Sequence, residues 1–395
     1  MPRFGRLGTA RPAAKAFAAV GSVTAVVFSM AALAPTASAQ PAGATYQVTQ
    51  ILSGMSLHHS YQAAGSRVWH SEPLTQPDDI TRVGGDLFTG FQNGVGPQGQ
   101  ASTDGNRDST IVEFTQGGRV VNQWDVRGKC DGLTANPATG LVIATVDEDA
   151  NSSLYAIDPF TNRVRHYFYN RQPLPHNGGT DAISFYRGLM LISASAPGTA
   201  GAAAPEPYYP AVYVVTLNPA NRVAYVKALF YDEAHATTAD GPQSGQTVRL
   251  GLTDPDSNEV VPQDAPRFGG DFMLTSQGDK EQIFVQGADT PWQQLWVLHL
   301  SNSVDDTAWA STAFGAFFAA DHDGDTIDKI SGFWGTGTIL AAVTPCDANG
   351  APATCPGPGF PPNYVGSLNP WTGQLTPLAL SGPQVEPQGM IFIPS

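Results

Sequence analysis

Five aspartates stand where a loop gives way to a strand-like run: Asp79-Ile80, Asp131-Gly132-Leu133, Asp181-Ala182-Ile183, Asp271-Phe272-Met273 and Asp328-Lys329-Ile330. A carboxylate at a fixed point of a repeated unit is delivered by the fold in several copies to one place. Converging carboxylates can ligate a hard cation through oxygen, or hold and move protons at raised pKa values. With no cysteine cluster nearby, such an all-oxygen set suits Ca2+ or Mg2+ better than zinc. Asp79, Asp131, Asp181 and Asp328 are therefore candidate metal ligands, with Asp78 beside the first and Asp271 in a looser alignment as ligand-binding candidates.

Two acidic loops extend the set. Asp321-His322-Asp323-Gly324-Asp325-Thr326-Ile327-Asp328 spaces carboxylates so that one loop could wrap one cation, which adds Asp321, Asp323 and Asp325 as ligand candidates. Asp254-Pro255-Asp256-Ser257-Asn258-Glu259 alternates in the same way. Neither is a complete EF-hand loop, because glycine is misplaced or missing and the closing glutamate is absent. His70 and His176 lie in loops before Asp79 and Asp181, where an imidazole beside a carboxylate could act as general base or ligand. Trp334, like Trp69, Trp292 and Tyr208-Tyr209, offers a flat ring for a small-molecule or glycan ligand; packing between sheets is the competing use of such rings.

The elements that must position these groups are short strands. The aspartates are 52, 50, 90 and 57 residues apart, near the roughly 40 to 50 residues of a four-stranded propeller blade with insertions. Ile80 to Val83, Leu87 to Phe91, Thr110 to Phe114 and Val120 to Trp124 make one such unit, separated by Gly, Asn and Asp turns. Asn136-Pro137-Ala138-Thr139-Gly140, Asp158-Pro159-Phe160-Thr161-Asn162, Asn218-Pro219-Ala220-Asn221 and Asn369-Pro370-Trp371-Thr372-Gly373 are hairpin turns recurring in later units. The reading is an all-β chain, a single β-propeller of four-stranded blades, six in number within a range of five to seven. Insertions are expected near 196–210 and 231–270. An orphan strand at Thr45 to Leu52 and a final strand at Gly389 to Ile393 predict that the termini share one blade, which removes exposed edges.

Cys130-Asp131-Gly132-Leu133 and Pro387-Gln388-Gly389-Met390, each opening a strand, together with the Asn/Asp-Pro turns, resemble the repeat of the NHL-type and gluconolactonase-type propellers, the strictosidine synthase-like group. That resemblance implies a divalent cation on the propeller axis and a metal-dependent hydrolase, lactonase or lyase as one possible activity. The ligand sets of those families do not map onto this chain residue by residue.

In a propeller the first strand of each blade lines the central channel, so the loop aspartates would ring its mouth. Carboxylates roughly 8 Å apart would repel by about 2 kcal/mol a pair at an effective dielectric near 20. A cation, bound protons or backbone N–H donors must relieve this, and aspartates that merely close turns are the plainest form of the last.

The first 39 residues read as a secretory signal peptide, with Arg3, Arg6, Arg11 and Lys15 ahead of an apolar run and Ala37-Ser38-Ala39 as the cleavage site. Removal would leave residues 40–395 as the propeller domain, secreted or envelope-associated, with no membrane span. It would also leave 16 Lys and Arg against 34 Asp and Glu, a formal charge of −18 that excludes nucleic acid as a partner. Cys346 and Cys355 bracket a Pro/Gly-rich loop and are expected to form a disulfide, and Cys130 to be a buried thiol. No Gly-x-Ser-x-Gly, His-Glu-x-x-His or Walker motif occurs, and no organic cofactor is expected. Three functions remain: a monomeric propeller binding a small molecule or glycan with a cation at an acidic channel mouth, a metal-dependent hydrolase or lyase using His176 or a ring aspartate, and a structural or protein-interaction propeller.

Overall fold

A computed structural model describes residues 46–198 and 208–395. The expected signal peptide and most of the insertion near 196–210 lie outside the described residues. The described residues form one compact unit of short strands, a β-propeller of six blades.

Blades one to three follow the sequence in order. Their innermost strands are Pro77–Val83, Cys130–Ala135 and Ile183–Tyr186, and their outermost are Val120–Arg127, Arg163–Tyr169 and Val223–Tyr231. In blade four the inner strand is Pro255–Val260, and the hairpin of His235–Thr238 and Thr247–Arg249 extends its outer edge. The excursion expected from 231 to 270 thus holds both the outer margin and the innermost strand of one blade.

Blades five and six are interleaved. Blade five starts on Val304–Trp309, and the chain then leaves for a hairpin of Gly315–Asp321 and Thr326–Ser331. It returns for Ile339–Val343, Tyr364–Leu368 and Leu375–Pro377. The departed hairpin supplies the second and third strands of blade six, whose inner strand is the C-terminal Pro387–Pro394 and whose fourth is the N-terminal Tyr46–Ser53, edged by Leu380–Ser381. The termini share that blade, as expected. The six inner strands touch one another in sequence, and the last touches the first.

Alternation along each strand is what holds the ring together. Side chains of odd and even positions enter opposite seams, so six apolar clusters form, one between each pair of neighbouring blades. Phe317 packs into the seam between blades five and six, and Phe318 into the seam between six and one. Cys346 and Cys355 are disulfide-bonded with Cα atoms 5.3 Å apart, and Cys130 is a buried free thiol. No described helix is long and apolar enough to cross a membrane.

Candidate functional site

The inner strands share a defect at one height. In blades one, two, four and five the ladder to the second strand skips two residues opposite one: Asp78-Asp79, Asp131-Gly132, Asp256-Ser257 and Asp305-Asp306. Blade six skips Gln388-Gly389 in the same way, and in blade three Asp181-Ala182 stands just before the inner strand. A bulge of this kind re-aims side chains and ends regular pairing.

The first residues of these pairs are five aspartates and Gln388. Asp78, Asp131, Asp181, Asp256 and Asp305 line an axial cavity of about 340 Å3, counting the space open to solvent, together with Asp79 and Asp306. This is an acidic channel mouth, built from a partly different set of aspartates than the sequence suggests.

The second residues of the pairs join neighbouring blades. Asp79 Oδ1 accepts from its neighbour Ile80 N, and Oδ2 from Leu133 N of blade two, both at 2.7 Å. Asp306 repeats the arrangement, accepting from Thr307 N and from Met390 N of blade six, again at 2.7 Å. Glycine at this position serves close approach: a Cβ on Gly132 would lie 2.3 Å from Asp181 O, and one on Gly389 2.4 Å from Asp78 O. The Gly-Leu and Gly-Met pairs of the repeat therefore mark where a blade is clamped against its neighbours.

Relief of charge in the first ring is incomplete. Lys129 Nζ lies 2.8 Å from Asp131 Oδ1 and also pairs with Glu148, while Gln92 Nε2 donates to both Asp131 Oδ1 and Asp78 Oδ2 at 3.0 Å. Burial opposes the charge on Lys129, but Asp131, Glu148 and Asp78 outweigh it and raise its pKa. Asp131 Oδ2 is buried with no hydrogen-bond partner. Burial first, and the neighbouring carboxylates second, hold Asp78, Asp131, Asp256 and Asp305 well above the usual carboxylate range. Asp181 is pushed to about 6 by burial and Glu148; its hydrogen bond with Asp256 works against that rise and raises Asp256 further. Asp306 is pushed to about 7 by burial, despite its two N–H donors.

Other sequence candidates sit elsewhere. Asp271 precedes the second strand of blade four, and Asp328 lies in the third strand of blade six, accepting from Thr326 Oγ1 at 2.7 Å. The acidic run before Asp328 turns the departed hairpin and does not share a wall with the axial ring. Asp321 accepts from Gly324 N at 2.9 Å, Asp325 from Gln76 N at 2.7 Å, and Asp323 pairs with His322 at 2.9 Å. Among the described residues no three His, Cys, Asp or Glu are grouped to hold a metal ion directly. Trp334 is fully buried, stacked on Tyr46 at 4.3 Å. His70 lies in the hairpin with His58–Tyr61 and stacks on Tyr61 at 5.3 Å.

His176 is a core histidine. Its Nδ1 is 2.7 Å from the Tyr213 hydroxyl, and its Nε2 faces two carbonyls, Gly179 at 2.7 Å and Ser195 at 3.0 Å. Carbonyls only accept, so Nε2 carries the proton and Nδ1 accepts from the tyrosine. Burial lowers its pKa to about 4, which keeps the ring neutral. His176→Leu is expected to lower stability by about 2 to 4 kcal/mol, because it strands three buried polar groups. Chemical denaturation at pH 7 would measure this.

Asp305, Asp306, Gln92, Lys129 and Glu148 are not among the sequence candidates, and Asp256 enters only through the acidic loop Asp254 to Glu259. A signal for Asp256, Asp305 and Asp306 is present: Pro77-Asp78-Asp79, Pro255-Asp256-Ser257, Val304-Asp305-Asp306 and Pro387-Gln388-Gly389 share one frame.

No family model and no curated protein matches this chain. Solved structures with a similar backbone course include a protein of unknown function from Desulfotomaculum acetoxidans DSM 771, at 10% identity and TM-score 0.39 over 87% of this chain and 84% of that one. One of unknown function from Bacteroides caccae has 10% identity and TM-score 0.42 over 85% and 98%. A luciferin-regenerating enzyme has 9% identity and TM-score 0.37 over 70% and 84%. At that distance the likeness says nothing of ligand or activity.

Proposed function

We propose that this chain is a binding propeller whose axial aspartate mouth takes a hydrated divalent cation, Ca2+ or Mg2+, together with a small-molecule or glycan ligand. The observation that supports it is Asp131 Oδ2, a sealed carboxylate oxygen without a partner in a ring of four further aspartates served by one lysine. Since no three carboxylates converge on one point, the ring suits an ion that keeps its waters and is held through them. The ion would neutralise the mouth and present water or ligand oxygen to the channel.

The test is calorimetric titration and thermal unfolding of the purified protein with Ca2+ and Mg2+ at pH 8, after EDTA treatment. An ion at about 100 times its Kd adds roughly 2.7 kcal/mol of stability. The Asp131→Asn, Asp256→Asn double variant should lose most of that gain while remaining folded. Absence of stoichiometric metal and of any shift would leave a propeller without an axial cation, the structural or protein-interaction reading.

A second reading, hydrolase chemistry of lactonase or lyase type, draws support from the hydrogen-bonded carboxyls of Asp181 and Asp256 in one cleft. Its test is a lactone-hydrolysis screen in which Asp181→Ala abolishes turnover. A rate equal to wild type would remove it.

A further inference from the structure

The central channel opens at its other end into a wider cavity of about 750 Å3, counting open solvent, beyond the Asp79 and Asp306 clamps. Two residues past each clamp position, the six blades carry Thr81, Thr134, Ser184, Glu259, Ala308 and Ile391. Two of the hydroxyls fasten the next blade: Thr81 Oγ1 accepts from Ala135 N at 3.0 Å, and Ser184 Oγ donates to Asn258 O at 2.9 Å. A short hydroxyl suffices for that task. Blade four has a glutamate there instead.

Glu259 faces Trp309 of blade five, at the position equivalent to Ala135. The indole N–H lies near enough to favour the charged carboxyl, yet the two make no well-formed hydrogen bond, and Glu259 Oε1 and Trp309 Nε1 are each buried without a partner. A carboxyl of this kind costs stability, and the ring of blades does not require it.

We propose that this second mouth is a binding site for an uncharged polyhydroxylated molecule of monosaccharide size, with Glu259 as its hydrogen-bonding anchor. No lysine, arginine or histidine lines the cavity, so an anion finds no partner there. Glu259, Thr81, Thr134 and Ser184 line the cavity with polar groups, and Phe185 and Ile391 add apolar surface for C–H contacts. Burial, and then the nearby Asp306, raises the pKa of Glu259, which favours the neutral form, able to donate as well as accept. The site is independent of the axial cation reading.

The experiment is ligand-observed NMR and calorimetry on the purified protein with methyl α-D-glucopyranoside, methyl α-D-mannopyranoside and methyl β-D-galactopyranoside, with and without EDTA. At least one glycoside is expected to bind. Glu259→Leu should weaken it about tenfold or more, and Glu259→Gln by less than about threefold. EDTA and Asp131→Asn should leave it unchanged. If Glu259→Leu does not fold, Thr134→Val at the lip takes its place, with weakening of about threefold expected. No binding by any of the three, full binding by the Glu259→Leu or substitute variant, or loss of binding in EDTA would overturn the proposal. Binding of tetramethylammonium with the same Glu259 dependence would overturn the uncharged class.

Discussion

Asp306→Ala is expected to lower the free energy of unfolding by about 3 to 5 kcal/mol, whereas Asp305→Ala, one residue away, should leave stability unchanged or raise it by up to about 1 kcal/mol. The two carboxyls occupy consecutive positions of one bulge and do opposite work. Asp306 joins blade five to blade six through Thr307 N and Met390 N, at 2.7 Å each. Hydrogen bonds to an ionised group contribute roughly 1.5 to 3 kcal/mol apiece, and alanine also leaves the Met390 N–H without its acceptor. That donor sits on the C-terminal strand, which closes the ring against blade one, so the loss falls where the termini meet. Asp305 is turned into the mouth, where burial, then Asp181 and Asp306, work against its charge, and its removal lessens repulsion. Urea denaturation of both variants at pH 8 in EDTA decides the matter. Equal losses would mean that the two rings are not functionally distinct, and a small loss in Asp306→Ala would remove the clamp.

That division of labour explains what was legible in the sequence. The repeat of loop, aspartate and strand is legible because mouth and clamp use adjacent positions of one bulge: Asp79 is a clamp, while Asp131 on its inner strand and Asp181 just before its own belong to the mouth. The spacing supports five to seven blades, six preferred, and the orphan strands at the two ends of the domain account for the shared terminal blade. Blade four misleads because its inner strand, Pro255–Val260, is polar from Asp256 to Glu259 and reads as a loop, whereas the second strand, Phe272–Ser276, carries the apolar run. Asp271 was therefore placed one strand too far out. Blade five misled for a topological reason. The hairpin holding Asp321 to Asp328 departs after a single strand and joins blade six, and no local pattern records a pairing made with Tyr46–Ser53 nearly 300 residues away in sequence. Lys129, Gln92 and Glu148 escaped notice because each lies outside the repeat frame and reaches the mouth only through side-chain length.

Between pH 5 and pH 8 in EDTA, the chain is expected to lose stability by a few kcal/mol, and divalent cation should remove most of that loss. A carboxyl whose pKa is higher in the folded than in the unfolded chain contributes stability that is complete below its unfolded value and is lost as pH rises through the folded one. Asp181 at about 6 and Asp306 at about 7, against ordinary values of 3.8, start that loss near pH 4 and complete it just above pH 7, with the remaining ring carboxyls shifted the same way. His176 works in the opposite sense. Its folded pKa of about 4 lies below the ordinary 6.5, so its contribution is complete above 6.5 and falls away toward pH 4, by on the order of 3 kcal/mol. The two windows overlap between about pH 4 and 6.5, and there the carboxyls together outweigh the histidine, so net stability in EDTA should fall as pH rises. A cation in the mouth takes over the role of the bound protons and flattens this alkaline limb, while the histidine limb stays. Denaturation midpoints at pH 4 to 8, in EDTA and in Ca2+ or Mg2+, measure both limbs. The Asp131→Asn, Asp256→Asn variant should lessen the alkaline limb even in EDTA, since fewer protons must then leave the mouth. An alkaline limb unaltered by both cation and variant would show that the ring of aspartates carries no strain for an ion to relieve.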